Sequence, residues 1–411
     1  MATGLAENVR NHRRTAGWSQ EQLAEAAELS VGSVRKVEQG GDVRMETLHA
    51  LARAMGVPTS ALFATEATKP VVGDEANRRY LVELRKALMP PVGLVAPLTD
   101  RGQAEELSAL RRATEDAHAL YWADRYDSVA KRLPGLLRSA EAAVEALEGE
   151  EQQHAMIARC HALLLTGKYL TQVRQYDMAY FALVEAIRLA RETGQTLTAA
   201  TGVVGMCWLL LRQDRFDESE QLAAQTAAEI EPRMSEATPA HLAVWGELWL
   251  RVAAATMRNN RSDVAREARR MAGTAASGMN SENAEFPTHW GGFGPVTAEL
   301  KAVEDLSLLG DARGVLSRTG EGLLSSKALR NFGKPTAPNW DRHRLDEARA
   351  HVTLKQHQEA MDVLMSVRRT SGEWIKHQPM ARYVMADLLK ARKRTLTQDM
   401  RDMAAHLDIT G

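Results

Sequence analysis

Short amphipathic segments separated by polar turns fill residues 1–70, and this pattern predicts five short helices. The first helix is predicted to end near residues 16–17. A second helix is predicted at residues 20–27, because Ser19 and Gln22 have the spacing of an N-cap and its capping-box partner.

Three further helices complete this predicted unit. Ser30 stands where it would cap a third helix at residues 31–38, which the Gly40-Gly41 pair ends. Apolar positions between residues 47 and 55 predict a fourth helix, and a last short helix is predicted to open at Pro58. Two short helices joined by a tight turn inside a five-helix unit are typical of the helix-turn-helix arrangement.

The unit resembles the phage-repressor-like (XRE-type) helix-turn-helix family. The resemblance rests on three strings, Trp18-Ser19-Gln20-Glu21-Gln22-Leu23-Ala24, Leu29-Ser30-Val31-Gly32-Ser33-Val34-Arg35-Lys36-Val37-Glu38-Gln39-Gly40 and the apolar positions of residues 47–57. It implies a DNA-binding domain at residues 1–65 whose third helix enters the major groove. Gln20 is expected to bind a phosphate or reach a base. The residues implied to contact DNA are Gln20, Ser30, Val31, Gly32, Ser33, Arg35, Lys36 and Arg44.

The side chains of the third helix allow two interpretations. Arg35 and Lys36 are expected to read guanine or bind phosphate, and Val31 to touch a thymine methyl group. Alternatively, the two cations only solvate a helix face. Relatives often carry Gln or Arg where this sequence has Val31 and Gly32, so few direct contacts to bases are expected. Glu38 is expected to bond within the domain.

A linker with one connecting helix is predicted at residues 66–101. Residues 64–75 lack helical periodicity and contain Pro70 and Gly73. A helix with one apolar face is predicted at about residues 76–89. This helix either packs on the following domain or acts as a coupling or dimer-contact element, and the sequence leaves both interpretations open.

Helical segments alternate with short breaks from about residue 102 to the end, with almost no strand pattern. Residues 162–186 resemble a tetratricopeptide repeat, in which Gly167 and Ala179 stand where helices pack closely. Residues 102–411 are therefore predicted to form a right-handed superhelix of helical hairpins within an all-α protein. Related but irregularly spaced fragments begin at Tyr126, Phe216 and His357.

The first helix of each hairpin would line the concave wall of such a superhelix. Its predicted mix of aromatic and cationic side chains suits an acidic or peptide ligand. Each of these side chains has an alternative place in the core or in a surface ion pair, and Trp208, inside an apolar stretch, is the clearest example. The candidate effector-binding residues are His118, Tyr121, His161, Lys168, Gln172, Trp208, Arg212, Arg258, Arg342 and Arg349.

Residues 280–295 break the helical pattern. They are rich in glycine and aromatic residues, but they lack GxGxxG, a flanking strand and a GK[ST] ending. The segment is predicted to be an aromatic connector or a lid over a pocket, rather than a phosphate-binding loop.

Composition supports a helical protein. The 411 residues are 45% hydrophobic and only 5% aromatic, which favours close helix packing over sheets. The net charge of −1 excludes a wholly basic nucleic-acid coat but not a basic face. Residues 1–70 carry as many acidic as basic side chains, so non-specific phosphate affinity is expected to be modest and strongly salt-dependent.

Other features of the sequence point to a cytoplasmic protein that is not an enzyme. Cys160 and Cys207 form no CxxC motif, which indicates a reduced compartment. No signal-peptide pattern and no apolar run of about 20 residues is found, so no membrane contact is expected. No catalytic or metal-ligand motif stands out, and neither cofactor nor metal is expected.

The two parts together resemble a family of bacterial regulators, some of which sense peptides in quorum signalling. Residues 342–364 and 374–389 resemble actinobacterial members. The resemblance implies a transcription regulator that binds double-stranded DNA as a homodimer and responds to a peptide or small-molecule effector. A dimer is expected because one helix-turn-helix unit reads only a few base pairs. The alternative is a tetratricopeptide scaffold that acts through protein–protein binding, with weak DNA contact.

Overall fold

The protein is all-α, as predicted. The computed structural model describes residues 2–41, 43–57, 59–62, 75–91, 106–233, 235–282, 290–391 and 396–409, and these residues form helices and connecting turns without a β-strand. The first five helices are α1 (Ala2–Thr15), α2 (Gln20–Ala26), α3 (Val31–Glu38), α4 (Met45–Ala54) and α5 (Thr59–Leu62).

Local capping explains where α2 and α3 begin. The backbone N–H of Gln22 donates to Ser19 Oγ at 3.1 Å, and the N–H of Ser19 donates to Gln22 Oε1 at 2.8 Å. Ser30 Oγ accepts from the N–H of Ser33 at 3.1 Å. These bonds satisfy N–H groups that have no partner within the helix, and they confirm the predicted caps.

The five helices enclose their own apolar core. Trp18 is partly buried and packs against its edge. Pro58, Phe63 and residues 64–74 of the linker predicted at residues 64–75 lie outside the described residues. The core forms because each helix turns one apolar stripe inward. Its fully buried side chains are Val9, Leu23, Val34, Val37, Leu51 and Leu62.

The rest of the chain folds into seventeen further α-helices within the described residues. The first nine of these are α6 (Glu75–Leu88), α7 (Leu107–Trp122), α8 (Tyr126–Ala146), α9 (Gly149–Gln172), α10 (Tyr176–Glu192), α11 (Thr196–Arg212), α12 (Phe216–Glu229), α13 (Pro239–Arg258) and α14 (Ser262–Ser277). They are followed by α15 (Pro295–Leu308), α16 (Ala312–Arg318), α17 (Ser326–Phe332), α18 (Ala337–Thr353), α19 (His357–Thr370), α20 (Gly372–Lys376), α21 (Pro379–Ala391) and α22 (Gln398–His406).

One turn geometry joins the helices of five hairpins: α7–α8, α9–α10, α11–α12, α13–α14 and α18–α19. Each turn has three residues, and the middle one has a left-handed backbone with φ between 58° and 63°. The N–H of the third residue donates to a carbonyl five positions earlier, at 2.8–3.0 Å. This recurrence is consistent with a helical-repeat superhelix. The left-handed residues are Asp124, Arg174, Asp214, Asn260 and Lys355.

Small residues allow the hairpins to pack closely. A Cβ atom on Gly167 would lie 2.7 Å from Leu183 Cγ, and one on Gly202 would lie 2.6 Å from Ile187 Cγ1. Ala179 is fully buried between α9 and α10. The predicted close-packing positions are therefore confirmed, while the tetratricopeptide resemblance itself stays a prediction.

Helix α6 packs on the helical repeats. Leu84 and Leu88 are buried in the main core, and Lys131 Nζ of α8 lies 5.5 Å from the Tyr80 ring centroid. Packing on the following domain is thus one role of this helix. A further role in dimer contact stays a prediction.

Two aromatic side chains from the irregular segment before α15 enter the interior. Trp290 packs over Gly205 of α11 and Phe293 over Gly246 of α13, and a Cβ atom at either glycine would overlap the ring. Both rings are buried, whereas residues 283–289 lie outside the described part of the chain. These two rings thereby hold residues 290–294 against α11 and α13.

Both cysteines are buried in the main core. Cys160 and Cys207 are free thiols, and burial raises the pKa of each to about 12, so neither is a reactive thiolate. Across the described ranges, we find no helix that combines the length and the apolar character required to span a membrane.

Candidate DNA interface and central cavity

The N-terminal half of α3 forms an exposed polar surface. Ser30 Oγ lies 2.9 Å from Ser33 Oγ, and Gly32 leaves the surface open beside them. One turn later, Arg35 and Lys36 are both exposed. Arg44 is exposed at the N-cap of α4, on a separate element. The predicted DNA-binding residues that share α3 and its cap are Ser30, Val31, Gly32, Ser33, Arg35 and Lys36.

Glu38 is the centre of a buried hydrogen-bond network beneath this surface. It is 3% exposed, and its carboxylate accepts from Arg13 Nε at 2.6 Å and from Gln20 Nε2 at 2.8 Å. Arg10 Nη2 donates to the Glu38 carbonyl at 2.7 Å. Burial alone would raise the pKa of Glu38, but the bonds from Arg13 and Gln20 outweigh it and lower that pKa. Glu38 therefore bonds within the domain, and its bonds engage two cations of α1, Arg10 and Arg13.

Arg35 is held only at the surface. Its Nη2 lies 3.2 Å from Glu21 Oε1, and its Nε donates to Gln20 Oε1 at 3.3 Å. The side chains of Arg35 and Glu21 are 57% and 60% exposed. Such a solvent-exposed pair contributes little to stability, so a phosphate or base can replace the carboxylate. Gln20 thus connects the internal network to Arg35.

Two hydrogen bonds dock the N-terminal unit on the helical repeats. The backbone N–H of Thr59 donates to Asp214 Oδ2 at 2.7 Å, and Arg53 Nη1 donates to Asn259 Oδ1 at 2.7 Å. Asp214 and Asn259 belong to the turns that follow α11 and α13. The unit is therefore fixed to the same edge of two consecutive hairpins.

His49 fills the middle of this junction. Its ring meets Phe216 edge-on at 5.1 Å between centroids, and its Nδ1 lies 2.7 Å from Thr59 Oγ1. Burial, and then the charge of Arg258, lowers the pKa of His49 to about 3. The imidazole is accordingly neutral in the folded protein near pH 7.

A cavity of about 200 Å³ opens between α11, α13, α15 and α18. Its wall also includes the backbone of the segment before α15, because the N–H of Gly291 donates to Glu247 Oε1 at 3.0 Å and Asn339 Nδ2 donates to the Gly291 carbonyl at 2.8 Å. The lining residues are Trp208, Leu211, Arg212, Glu247, Leu250, Arg251, Ala254, Arg258, Gly291, Gly292, Thr297, Lys301, Glu304, Asn339 and Arg342.

Ion pairs in the cavity centre on one carboxylate. Glu304 lies 2.8 Å from Arg258 Nη2 and 2.9 Å from Lys301 Nζ. Burial opposes its ionisation, but these cations together lower the pKa of Glu304 well below its ordinary value. Burial lowers the pKa of Lys301 to about 8. Glu304 is therefore a carboxylate that neutralises part of the positive charge.

The predicted effector residues separate into two groups. Four of them line the cavity: Trp208, Arg212, Arg258 and Arg342. The other six lie outside the cavity lining. Two of them, His161 on α9 and Arg349 on α18, are half-buried. The remaining four are buried in the interior: His118, Tyr121, Lys168 and Gln172.

Lys168 is surrounded by aromatic rings. It is 2% exposed, and its Nζ lies 4.4 Å from the Trp122 ring centroid and 5.6 Å from that of Trp290. Burial, opposed by the charge of Glu247, lowers its pKa to about 7. The cation–π contacts replace part of its hydration and link α9 to Trp290 before α15.

Sequence reasoning missed several cavity residues. Arg251 lies on α13 four residues after Glu247 and seven before Arg258, so helical periodicity placed it on the same face. Lys301 and Asn339 come from α15 and α18, and no local pattern shows that these helices approach α11 and α13.

Comparison with known proteins identifies the N-terminal unit. A family model described as a helix-turn-helix domain matches residues 5–63, which span most of α1 to α5. No curated protein matches the chain, and no solved structure matches it. The chain therefore carries a helix-turn-helix DNA-binding domain, and this points to a regulator rather than an enzyme.

Proposed function

We propose that the protein is a sequence-specific transcription regulator that binds its operator as a homodimer and responds to an effector in the helical repeats. The observation that carries this proposal is the exposed polar and cationic face of α3 inside a helix-turn-helix domain. Such a face fits the major groove, where phosphates position the helix and base edges specify the sequence.

The residues of α2 to α4 have different proposed roles at DNA. Arg35 releases the Glu21 carboxylate and binds a base edge in its place, and Lys36 binds phosphate. Ser30 and Ser33 donate hydroxyl hydrogen bonds, while Val31 and Gly32 allow close approach to the bases. The Gln20 side-chain amide bonds to both Glu38 and Arg35. It therefore orients Arg35, and it also contacts the DNA backbone. Arg44 adds a phosphate contact beside the recognition helix.

Homodimerisation follows from the small footprint of one domain. A single recognition helix contacts few base pairs, so two copies on a pseudo-palindrome raise both affinity and specificity. The balanced charge of the DNA-binding segment strengthens this argument, because non-specific attraction to phosphate is weak.

Effector response is proposed from the docking of the DNA-binding domain. Arg212 and Arg258 line the cavity, and the docking residues Asp214 and Asn259 follow them by two positions and one position. A ligand that binds these cations differently in two arrangements shifts the equilibrium between them. The effector is a peptide or a small molecule, and the protein is cytoplasmic.

The decisive test begins with genome-wide mapping of binding sites, followed by anisotropy titration of the recovered operator. Arg35→Ala combined with Lys36→Ala is expected to abolish operator binding while the dimer persists in native mass spectrometry. The matched control is Arg132→Ala with Arg266→Ala, which removes two exposed cations on α8 and α14. Retained nanomolar binding by the α3 double variant would overturn the proposal.

The second candidate function is a scaffold for protein partners. It is favoured by the internal use of Arg10 and Arg13, whose bonds to Glu38 leave fewer cations for DNA. A pull-down that recovers a stoichiometric protein partner but no DNA would select this function.

A further inference from the structure

The central cavity carries more positive than negative charge. Five cationic and two acidic side chains line it. Glu304 is shared by two of the cations, Arg258 and Lys301. The other carboxylate, Glu247, accepts the Gly291 N–H and lies near Arg251 in charge interaction. Two further cavity cations have no carboxylate in ion-pair contact, although Glu304 also interacts with one of them through charge alone.

Those two cations are Arg212 and Arg342. Arg212 stacks on the Trp208 ring, with 5.0 Å from Cζ to the centroid, and Nη2 reaches Gln378 Oε1 at 3.5 Å. Arg342 lies over the Trp374 ring at 5.9 Å. Among the described residues, neither guanidinium has an ion pair. Both residues line the cavity, and burial, followed by repulsion from Arg342, lowers the pKa of Arg212.

Unpaired donors point to the same conclusion. The Nε atoms of Arg212 and Arg251 are buried and have no hydrogen-bond partner among the described residues. A buried charged donor without an acceptor is strongly unfavourable, and its retention in a cavity is typical of a ligand site. Planar guanidinium groups match carboxylate and phosphate oxygens in two-pronged geometry.

We propose that this cavity binds a small organic anion that carries at least two carboxylate or phosphate groups, held between Arg212, Arg251 and Arg342. The volume of about 200 Å³ admits a compact molecule and excludes an extended peptide. Trp208 and Leu250 supply an apolar wall for its carbon skeleton. This inference rests on the proposed function only in calling the anion the effector.

Binding of the anion acts on the DNA-binding domain through one short path. Arg212 ends α11, and Asp214 follows it in the turn that holds Thr59. An anion that draws the Arg212 guanidinium inward moves this turn and the docked domain with it. Operator affinity and anion affinity are then coupled by the same factor in both directions.

Isothermal titration calorimetry on the full chain tests the proposal with pyrophosphate and citrate as probes and glycerol as the neutral control. Both anions are expected to bind the wild-type protein, and the tighter one identifies the acidic group. Arg342→Gln is expected to weaken binding about tenfold, because it removes charge-assisted hydrogen bonds. Arg342→Lys keeps the charge and is expected to retain part of the affinity.

Arg266→Gln, an exposed cation on α14, is the matched control and is expected to leave anion binding unchanged. Arg251→Gln gives a second readout if Arg342→Gln does not fold, as judged by thermal unfolding. Binding of neither anion, or equal binding by wild type and a folded cavity variant, overturns the proposal. Anion binding by a protein that binds no operator supports this inference while it defeats the proposed function.

Discussion

Asp214 accepts a hydrogen bond from the backbone N–H of Thr59, with 2.7 Å between Oδ2 and the nitrogen. The carboxylate thereby satisfies an N–H at the start of α5, although it belongs to the α11–α12 turn. Asp124 occupies the same position in the α7–α8 turn and accepts from the N–H groups of Glu373 and Trp374 at 2.7 Å. The recurrent turn therefore presents acceptors that dock the first turn of a neighbouring helix.

Replacing Asp214 by alanine is expected to loosen the docked DNA-binding domain. Loss of a capping carboxylate costs about 1–2 kcal/mol, because the Thr59 N–H loses its acceptor. Hydrogen–deuterium exchange should speed up in α4 and α5. Asp177→Ala removes an exposed carboxylate at the start of α10 and should leave this exchange unchanged. Equal protection in wild type and Asp214→Ala would show that the bond does not hold the junction.

His49 makes the junction sensitive to acid. Its pKa is lowered from 6.5 to about 3 by burial and by Arg258, so the unfolded chain takes up the proton first. Its contribution to stability is present above pH 6.5 and falls by about 1.4 kcal/mol per pH unit below it. The unfolding temperature should therefore depend less on pH for His49→Gln than for the wild type. His154→Gln, at an exposed site, should keep the wild-type slope.

Glu38→Gln is expected to destabilise the DNA-binding domain by about 3 kcal/mol, because it leaves Arg13 without its buried carboxylate. Glu21→Gln is the surface control and should change stability far less, because its ion pair with Arg35 is exposed to solvent. Circular dichroism during thermal unfolding, with operator binding measured in parallel, distinguishes the two. A similar unfolding temperature for both variants would contradict the central role of Glu38.

Local signals in the sequence were sufficient for the DNA-binding domain. The Ser19 and Ser30 caps act on N–H groups three residues away, so spacing alone predicted where α2 and α3 begin. The same holds for Gly167, whose missing side chain leaves room for Leu183 in the following helix.

The cavity depends on contacts that no local pattern encodes. Lys301 and Glu304 reach it because residues 290–294, which lead into α15, pack on α11 and α13 through Trp290 at Gly205 and Phe293 at Gly246. By contrast, Arg251 lies at a position that the helical period of α13 places on the cavity face. Cations distant in sequence converge only after the superhelix is built.

Gly205→Ala is expected to destabilise the protein by about 1–3 kcal/mol, because the new methyl group would overlap the Trp290 ring. The displaced ring carries Gly291 with it, so anion binding in the cavity should weaken as well. Gly273→Ala is the matched control, since it lies within α14 with open space around it and should stabilise the protein by about 0.5–1 kcal/mol. Thermal unfolding and calorimetric titration with pyrophosphate measure the two effects. Unchanged stability of Gly205→Ala would contradict the fixed position of Trp290.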